Sequence, residues 1–247
     1  MQKRIFVIGD IHGGFKALEQ VLKRAKITPD DQLIFLGDYV DGWSQPVEVI
    51  NKLISLQQTH DCIFIKGNHD ALLIDWLKSK NENIHWLNAG GEVTVEAYQN
   101  LSFGEVKKHL EFLENLKNYH IDEKNRLFVH GGFSKTSGIE YEYYDFVFYW
   151  DRTLWETALA TDKNLKPDDV RFPKRFKFFK EMFIGHTPTT KIGLTQPVKA
   201  LNLWNVDTGA AFKGPISMME INTKEVFQSD PVYTFYPDEE GRNKRNI

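Results

Sequence analysis

Five times along this chain a short apolar run stops at glycine or histidine and a residue able to bind a metal or move a proton. Residues 4–8 lead into Gly9-Asp10 and residues 32–36 into Gly37-Asp38. Residues 62–65 pass through Lys66 to Gly67-Asn68-His69, residues 127–129 stop at His130-Gly131-Gly132, and residues 182–184 stop at Gly185-His186. The runs are short and almost unbroken in apolar character, which predicts strands covered on both faces. Few folds accept such strands. They need helices or a second sheet on each side, and their carboxyl ends then converge on one edge.

The intervening segments have helical period. Phe15, Leu18, Val21, Leu22 and Ala25 share one face, as do Val47, Ile50, Leu53 and Ile54 behind Ser44, a candidate N-cap. Leu72, Leu73, Trp76 and Leu77 follow Asp70, and Val106, Leu110, Leu113 and Leu116 form a fourth face. Strand and helix alternate, so the fold class is α/β. The last third is richer in strand-like stretches (201–207, 217–221 and 226–228) and predicts a second, more antiparallel sheet. No repeat or low-complexity linker divides the chain, so residues 1–236 are expected to form one domain. Residues 237–247 are expected to be a frayed polar tail.

Composition removes several classes. The net charge of −3 gives no electrostatic reason to expect nucleic acid or an anionic membrane as partner. A single cysteine, Cys62, excludes a disulfide framework and a thiolate zinc cluster, and it reads as a buried thiol. Only four apolar residues follow Arg4 before Gly9, too few for a signal-peptide core, and no run approaches a membrane span. The expected location is cytoplasmic.

The ligand-type residues at the strand ends form a coherent set. Asp10, His12, Asp38, Asn68, His130 and His186 offer oxygen and imidazole donors suited to divalent manganese, iron or zinc. Any one of them alone would be an ordinary turn or cap residue. Five strand ends repeating the pattern are not. Six donors exceed what one structural zinc needs, and a shared carboxylate would place two ions about 3.5–4 Å apart. Two divalent ions outweigh two aspartates and a bridging hydroxide by one positive charge, which would attract a phosphate dianion.

These residues spell motifs. Gly9-Asp10-Ile11-His12-Gly13 resembles GDxHG, Gly37-Asp38-Tyr39-Val40-Asp41 resembles GDxVD, and Gly67-Asn68-His69-Asp70 resembles GNH[DE], all of the phosphoprotein phosphatase family of metallophosphoesterases. His130-Gly131-Gly132 and Gly185-His186-Thr187 match its later histidine positions, and Trp150-Asp151-Arg152 and Val206-Asp207-Thr208-Gly209-Ala210 resemble stretches of bacterial and phage members. The resemblance implies a four-layer α-β-β-α sandwich of two mixed sheets flanked by helices. It implies two divalent ions, manganese first, with iron, zinc, nickel or magnesium as alternatives. By the same resemblance, Asp10, His12 and Asp38 hold one ion, and Asp38 bridges to a second completed by Asn68, His130 and His186. A hydroxide held by the pair would attack phosphorus, His69 would protonate the leaving oxygen with Asp41 orienting it, and Arg152 would hold phosphoryl oxygens. Pro188 stands where diesterases often carry a further histidine, which favours the phosphatase branch.

One departure matters. The family usually reads GDxVDRG, and here Asp41 is followed by Gly42, so half of the usual arginine clamp is missing; Lys66, Arg171 and Arg175 are the candidate replacements. The expected substrates are phosphoserine or phosphothreonine, and also phosphotyrosine, in proteins or peptides. The alternative is a small phosphoester or nucleotide, specifically a dinucleoside polyphosphate such as diadenosine tetraphosphate. A silent phosphate-binding module is the remaining reading. The aromatic run 141–150 is expected to be mainly packing, and the basic-aromatic run 171–180 an amphipathic surface helix.

Overall fold

Each of the five runs is a strand, and their alternating side chains explain why almost every residue in them is apolar. A computed structural model describes residues 3–81 and 83–243. The strands are β1 (Ile5–Ile8), β2 (Gln32–Phe35), β3 (Asp61–Phe64), β4 (Tyr119–Ile121), β5 (Arg126–Val129), β6 (Glu181–Ile184), β7 (Val198–Ala200), β8 (Leu203–Asn205), β9 (Ser217–Glu220) and β10 (Val226–Gln228). One sheet has the order β10-β9-β1-β2-β3 and the other β4-β5-β6-β8-β7. Within them β1, β2 and β3 are parallel, as are β5, β6 and β8, while β4, β7, β9 and β10 pair antiparallel.

Period-2 alternation sorts the residues into three apolar layers. Val7, Ile34, Ile63, Phe128, Phe183, Val206 and Met219 meet between the two sheets. Phe128 stacks on Phe183 there, centroids 5.0 Å apart. Phe6, Ile8, Leu33, Phe35 and Met218 point instead to helices on the outer face of the first sheet. Leu127, Val129, Met182, Ile184 and Leu203 point to the outer face of the second.

The helices of the first face are α1 (Phe15–Ala25), α2 (Pro46–Gln57), α3 (Asn68–Ser79) and α6 (Phe103–Glu114). Short α4 (Ile84–Trp86) and α5 (Glu92–Gln99) lie between α3 and α6 in the chain, and α7 (Phe146–Trp150) and α8 (Thr153–Ala160) serve the second sheet. The result is the four-layer α-β-β-α sandwich.

Three expectations change. The strand-rich last third does not build a sheet of its own: β7 and β8 extend the second sheet, and β9 and β10 return to the first as its antiparallel edge. β9 pairs antiparallel with β1 and β10 with β9, so the last strands cover the side of β1 opposite β2. Ser44 does not cap α2, which begins at Pro46 with no side-chain cap; its hydroxyl and amide bond Glu239 instead. Residues 237–243 therefore pack on the domain rather than fray, and the expected tail beyond them lies outside the described residues.

Candidate active site

The parallel strands β1, β2 and β3 of one sheet and β5, β6 and β8 of the other end on the same edge, and every expected donor follows one of them. The turns are tight. His12, Asp38, Asp41 and His186 all have positive φ, between 52° and 72°. Left-handed backbone at non-glycine residues costs on the order of 1 kcal/mol each, and such strain gathers at functional sites. Gly67 and Gly185 permit the crowding: a Cβ on Gly67 would lie 2.1 Å from Asp38 Oδ1, and one on Gly185 2.2 Å from Asp10 Oδ1.

Asp38 is central. Its Oδ2 lies 3.5 Å from His12 Nε2 and 3.3 Å from His130 Nε2, and Asp10 Oδ2 is 3.7 Å from His12 Nε2. Asn68 Oδ1 is 3.2 Å from His130 Nε2. Two ligand atoms on one ion, each about 2.1 Å from it, are separated by roughly 3.0–3.5 Å, so this spacing suits shared coordination. All six residues are nearly or fully buried.

The ring orientations are fixed from behind. His130 Nδ1 donates to the Leu36 carbonyl at 2.7 Å and His12 Nδ1 to that of Val40 at 3.2 Å, which turns each Nε2 toward Asp38. This backing is typical of metal-binding histidines. His186 Nε2 is buried with no hydrogen-bond partner among the described residues, a state that native proteins rarely leave uncompensated.

The electrostatics are those of a cluster short of positive charge. Burial, opposed by His130 and reinforced by Asp38, pushes Asp10 up to about 7. Burial, helped by Asp10, pushes Asp207 up to about 8. Burial also acts on Asp38, but His130, His69 and His12 outweigh it and hold that carboxyl well below its usual range. Divalent ions would relieve the remaining carboxylate repulsion, so the residues fit a metal pair. His12, Asp38 and His69 form one close group of ligand atoms, and Asp38, His130 and His186 another.

His69 stands beside the donors. Its Nδ1 lies 2.5 Å from Asp41 Oδ2, as the sequence pairing of the two suggested. Burial nevertheless lowers the His69 ring below its ordinary value, outweighing Asp38 and Asp41. Asp41 is itself anchored by two partners that sequence did not reveal: Trp86 Nε1 donates to Oδ2 at 2.6 Å, and the Thr94 hydroxyl donates to Oδ1 at 2.6 Å. Asp70 holds the loops after β2 and β3 together, accepting from the amides of Asp38, Tyr39 and Gly67, each at 2.9 Å.

The donors open into a cavity of about 220 Å³ whose lining includes Asp38, His69, Trp86, Trp150, Arg152 and Arg242. Larger hollows, such as one of about 400 Å³ beside α6, contain none of the expected donors. Arg152 reaches the cavity as expected, its Nη1 donating to Thr187 Oγ1 at 2.9 Å. The three candidate replacements for the missing arginine do not. Arg175 is buried beneath α8 on Phe133 O and the Thr153 and Thr157 hydroxyls. Arg171 pairs with Asp169 on the surface, and Lys66 is not among the lining residues. The run 171–180 holds one 3-10 turn, Lys174–Lys177, rather than an amphipathic helix, because Phe172, Phe176 and Phe179 anchor it to the core. The aromatic run 141–150 is also mostly not packing: Tyr143, Tyr144, Phe146 and Trp150 are 83%, 66%, 52% and 45% exposed.

Fold and site together define a two-sheet hydrolase framework whose merged strand ends gather two candidate metal-binding groups that share Asp38. The sequence matches the calcineurin-like phosphoesterases over residues 3–211, and the chain belongs to that family, which depends on a dinuclear metal centre. It is 27% identical to a bis(5'-nucleosyl)-tetraphosphatase PrpE [asymmetrical] of Geobacillus sp. over 92% of this chain and 96% of that one. It is 32% identical to serine/threonine-protein phosphatase 2 of Salmonella typhimurium, over 36% of this chain and 40% of the other. A protein serine/threonine phosphatase from Saccharomyces cerevisiae shares the fold with a TM-score of 0.60 and 15% identity, covering 93% of this chain and 83% of that one. No helix among the described residues is long and apolar enough to cross a membrane.

Proposed function

We propose that this chain hydrolyses dinucleoside polyphosphates, releasing two mononucleotides, with Asp10, His12 and Asp38 holding one divalent ion and Asp38, Asn68, His130 and His186 the other. The observation that carries the substrate class is the cavity itself. The exposed indole of Trp150 and two guanidinium groups, Arg152 and Arg242, border one small opening, with the buried Trp86 in its wall. Guanidinium forks suit a polyphosphate chain, and aromatic faces suit nucleobases. Phe146, one helical turn before Trp150, stacks on Tyr144 at 5.6 Å, and both are exposed. The relative matched over nearly its whole length is named for this reaction, whereas the protein-phosphatase relative matches over a third of the chain.

Bound at these donors, a pair of divalent ions, manganese being the first expectation, supplies the Lewis acidity and activated water that phosphoryl hydrolysis requires. The chain's own residues do the rest. Asp41, fixed by Trp86 and Thr94, holds His69 by Nδ1 and leaves Nε2 as the nitrogen available to pass a proton to the leaving oxygen. Arg152, braced on Thr187, grips phosphoryl oxygens with its remaining N–H groups.

The second reading, a phosphoserine or phosphothreonine phosphatase, is favoured by the 32% identity to the Salmonella enzyme. Incubating the manganese-loaded chain with diadenosine tetraphosphate, phosphopeptides and p-nitrophenyl phosphate separates them. The proposal expects ATP and AMP from the dinucleotide at a kcat/KM well above that for any phosphopeptide. Phosphopeptide turnover with the dinucleotide inert would transfer the assignment to the second reading. No turnover of anything with any divalent metal would leave a silent binding module.

A further inference from the structure

We infer that Arg242, from the far end of the chain, is the second phosphate-gripping arginine of this site, replacing the one that Gly42 denies to the metal loop. The inference rests on the phosphoesterase reading above, and it concerns how this particular chain binds the phosphoryl group.

Position 42 follows Asp41, so a side chain there would start beside the metal ligands. Instead Gly42 and Gly90 stack, Gly42 N donating to Gly90 O at 3.1 Å, both with positive φ (96° and 103°). The slot they leave is filled. A Cβ on Gly90 would lie 2.9 Å from Arg242 Cγ, and one on Gly42 3.3 Å from the same atom. The stem of Arg242 thus runs over two bare glycine backbones, where almost any other residue would obstruct it.

The segment carrying Arg242 is strapped to the same loop. Tyr236 stacks on Trp43 at 5.4 Å and donates from its hydroxyl to Gln45 at 2.8 Å. Glu239 accepts from the Ser44 amide at 2.9 Å and from its hydroxyl at 2.5 Å. Arg242 N donates to Ala211 O at 2.8 Å, fixing where the side chain starts.

The head of Arg242 reaches the site. It lines the cavity with Asp38, His69, Arg152 and His186, and its charge is felt at both His12 and His69. Its Nε is buried and has no hydrogen-bond partner among the described residues. The guanidinium leans over the Phe212 ring, centroid 5.6 Å away, a contact that steers it without using its N–H groups. A buried, unpartnered donor beside a paired-metal cluster is what an arginine waiting for an anion presents. Phosphoryl oxygens, or a neighbouring phosphate of a polyphosphate chain, are the ligands that match.

The test compares wild type with Arg242→Gln and Arg242→Lys, with Arg171→Gln as a surface control, all manganese-loaded. Arg242→Gln is expected to bind manganese and melt like wild type, while kcat/KM falls by about 10²–10³, as for loss of one charged transition-state contact. Inhibition by inorganic phosphate should weaken at least about tenfold, with free guanidinium restoring part of the rate. Arg242→Lys should fall between, because ammonium keeps the charge but not the fork. Rates and phosphate inhibition within twofold of wild type in Arg242→Gln would overturn the inference and leave the phosphoesterase reading intact. If wild type turns over nothing, that reading fails, and phosphate affinity by calorimetry decides this one: a tenfold loss in Arg242→Gln supports it and equal affinity overturns it. If the Gln variant does not fold, the Lys variant decides by the same two readouts.

Discussion

Asp70 offers the sharpest test of how the fold assembles the metal loops. Its two oxygens accept three backbone N–H groups, from Asp38, Tyr39 and Gly67, in a fully buried position. Hydrogen bonds to a charged acceptor contribute about 1.5–3 kcal/mol each, and a buried donor left unpaired costs about 1–3 kcal/mol. Asp70→Asn can keep its oxygen on the pair from Asp38 and Gly67, but its amide nitrogen then faces the Tyr39 N–H. Burial, with help from the Asp38 charge, pushes the Asp70 carboxyl up to about 7, so part of the gain is already offset. The expected loss is therefore about 3 kcal/mol for Asn and about 5 kcal/mol for Ala, where three donors are orphaned. Urea unfolding of chelator-treated protein measures it, and manganese titration of the same samples should show affinity weakened more than about tenfold, since Asp38 and Asn68 both hang on these amides. An Asn variant losing less than about 1 kcal/mol, with unchanged manganese affinity, would refute the reasoning. Should the Ala variant fail to fold, the Asn variant alone decides.

Two further outcomes follow from the geometry. Arg175→Met should cost about 1–3 kcal/mol of stability, because it orphans the buried Phe133 O, yet leave phosphate inhibition unchanged; weakened inhibition would return Arg175 to the clamp. His109, held between Tyr98 and Asn51, is lowered by burial to about 4, so the folded chain resists a proton that the unfolded chain accepts near 6.5. Its contribution to stability is complete above pH 6.5 and is lost as pH falls through 4. That loss is at most about 3 kcal/mol, and about half of it after solvent screening. His109→Gln should flatten that part of the stability–pH curve, and identical curves would contradict the assignment.

Sequence reading singled out the first-sheet strands and the residues that the structure gathers around Asp38, because Asp10, His12, Asp38, Asp41, Asn68, His69, His130 and His186 each lie within a few residues of a strand end; Arg152, between α7 and α8, came from the motif resemblance alone. Period-2 packing in one sheet is a local property and was legible. What escaped is what the chain brings from a distance. Trp86 and Thr94 reach Asp41 across 45 and 53 residues, and no local pattern marks an indole as a carboxylate's donor. Arg242 lies in a polar stretch that reads as a frayed end, and only its strap to Trp43 and Ser44 shows otherwise. The return of β9 and β10 to the first sheet was misread for the same reason: pairing is a choice of partner, and hydrophobic alternation does not name one.

The central claim is that one carboxylate, on Asp38, serves two ions at once. Crystals grown with manganese and measured at its absorption edge should show two anomalous peaks about 3.5–4 Å apart, flanking Asp38, with His12 on one and His130 and His186 on the other. A single peak, or two that do not share Asp38, would contradict it.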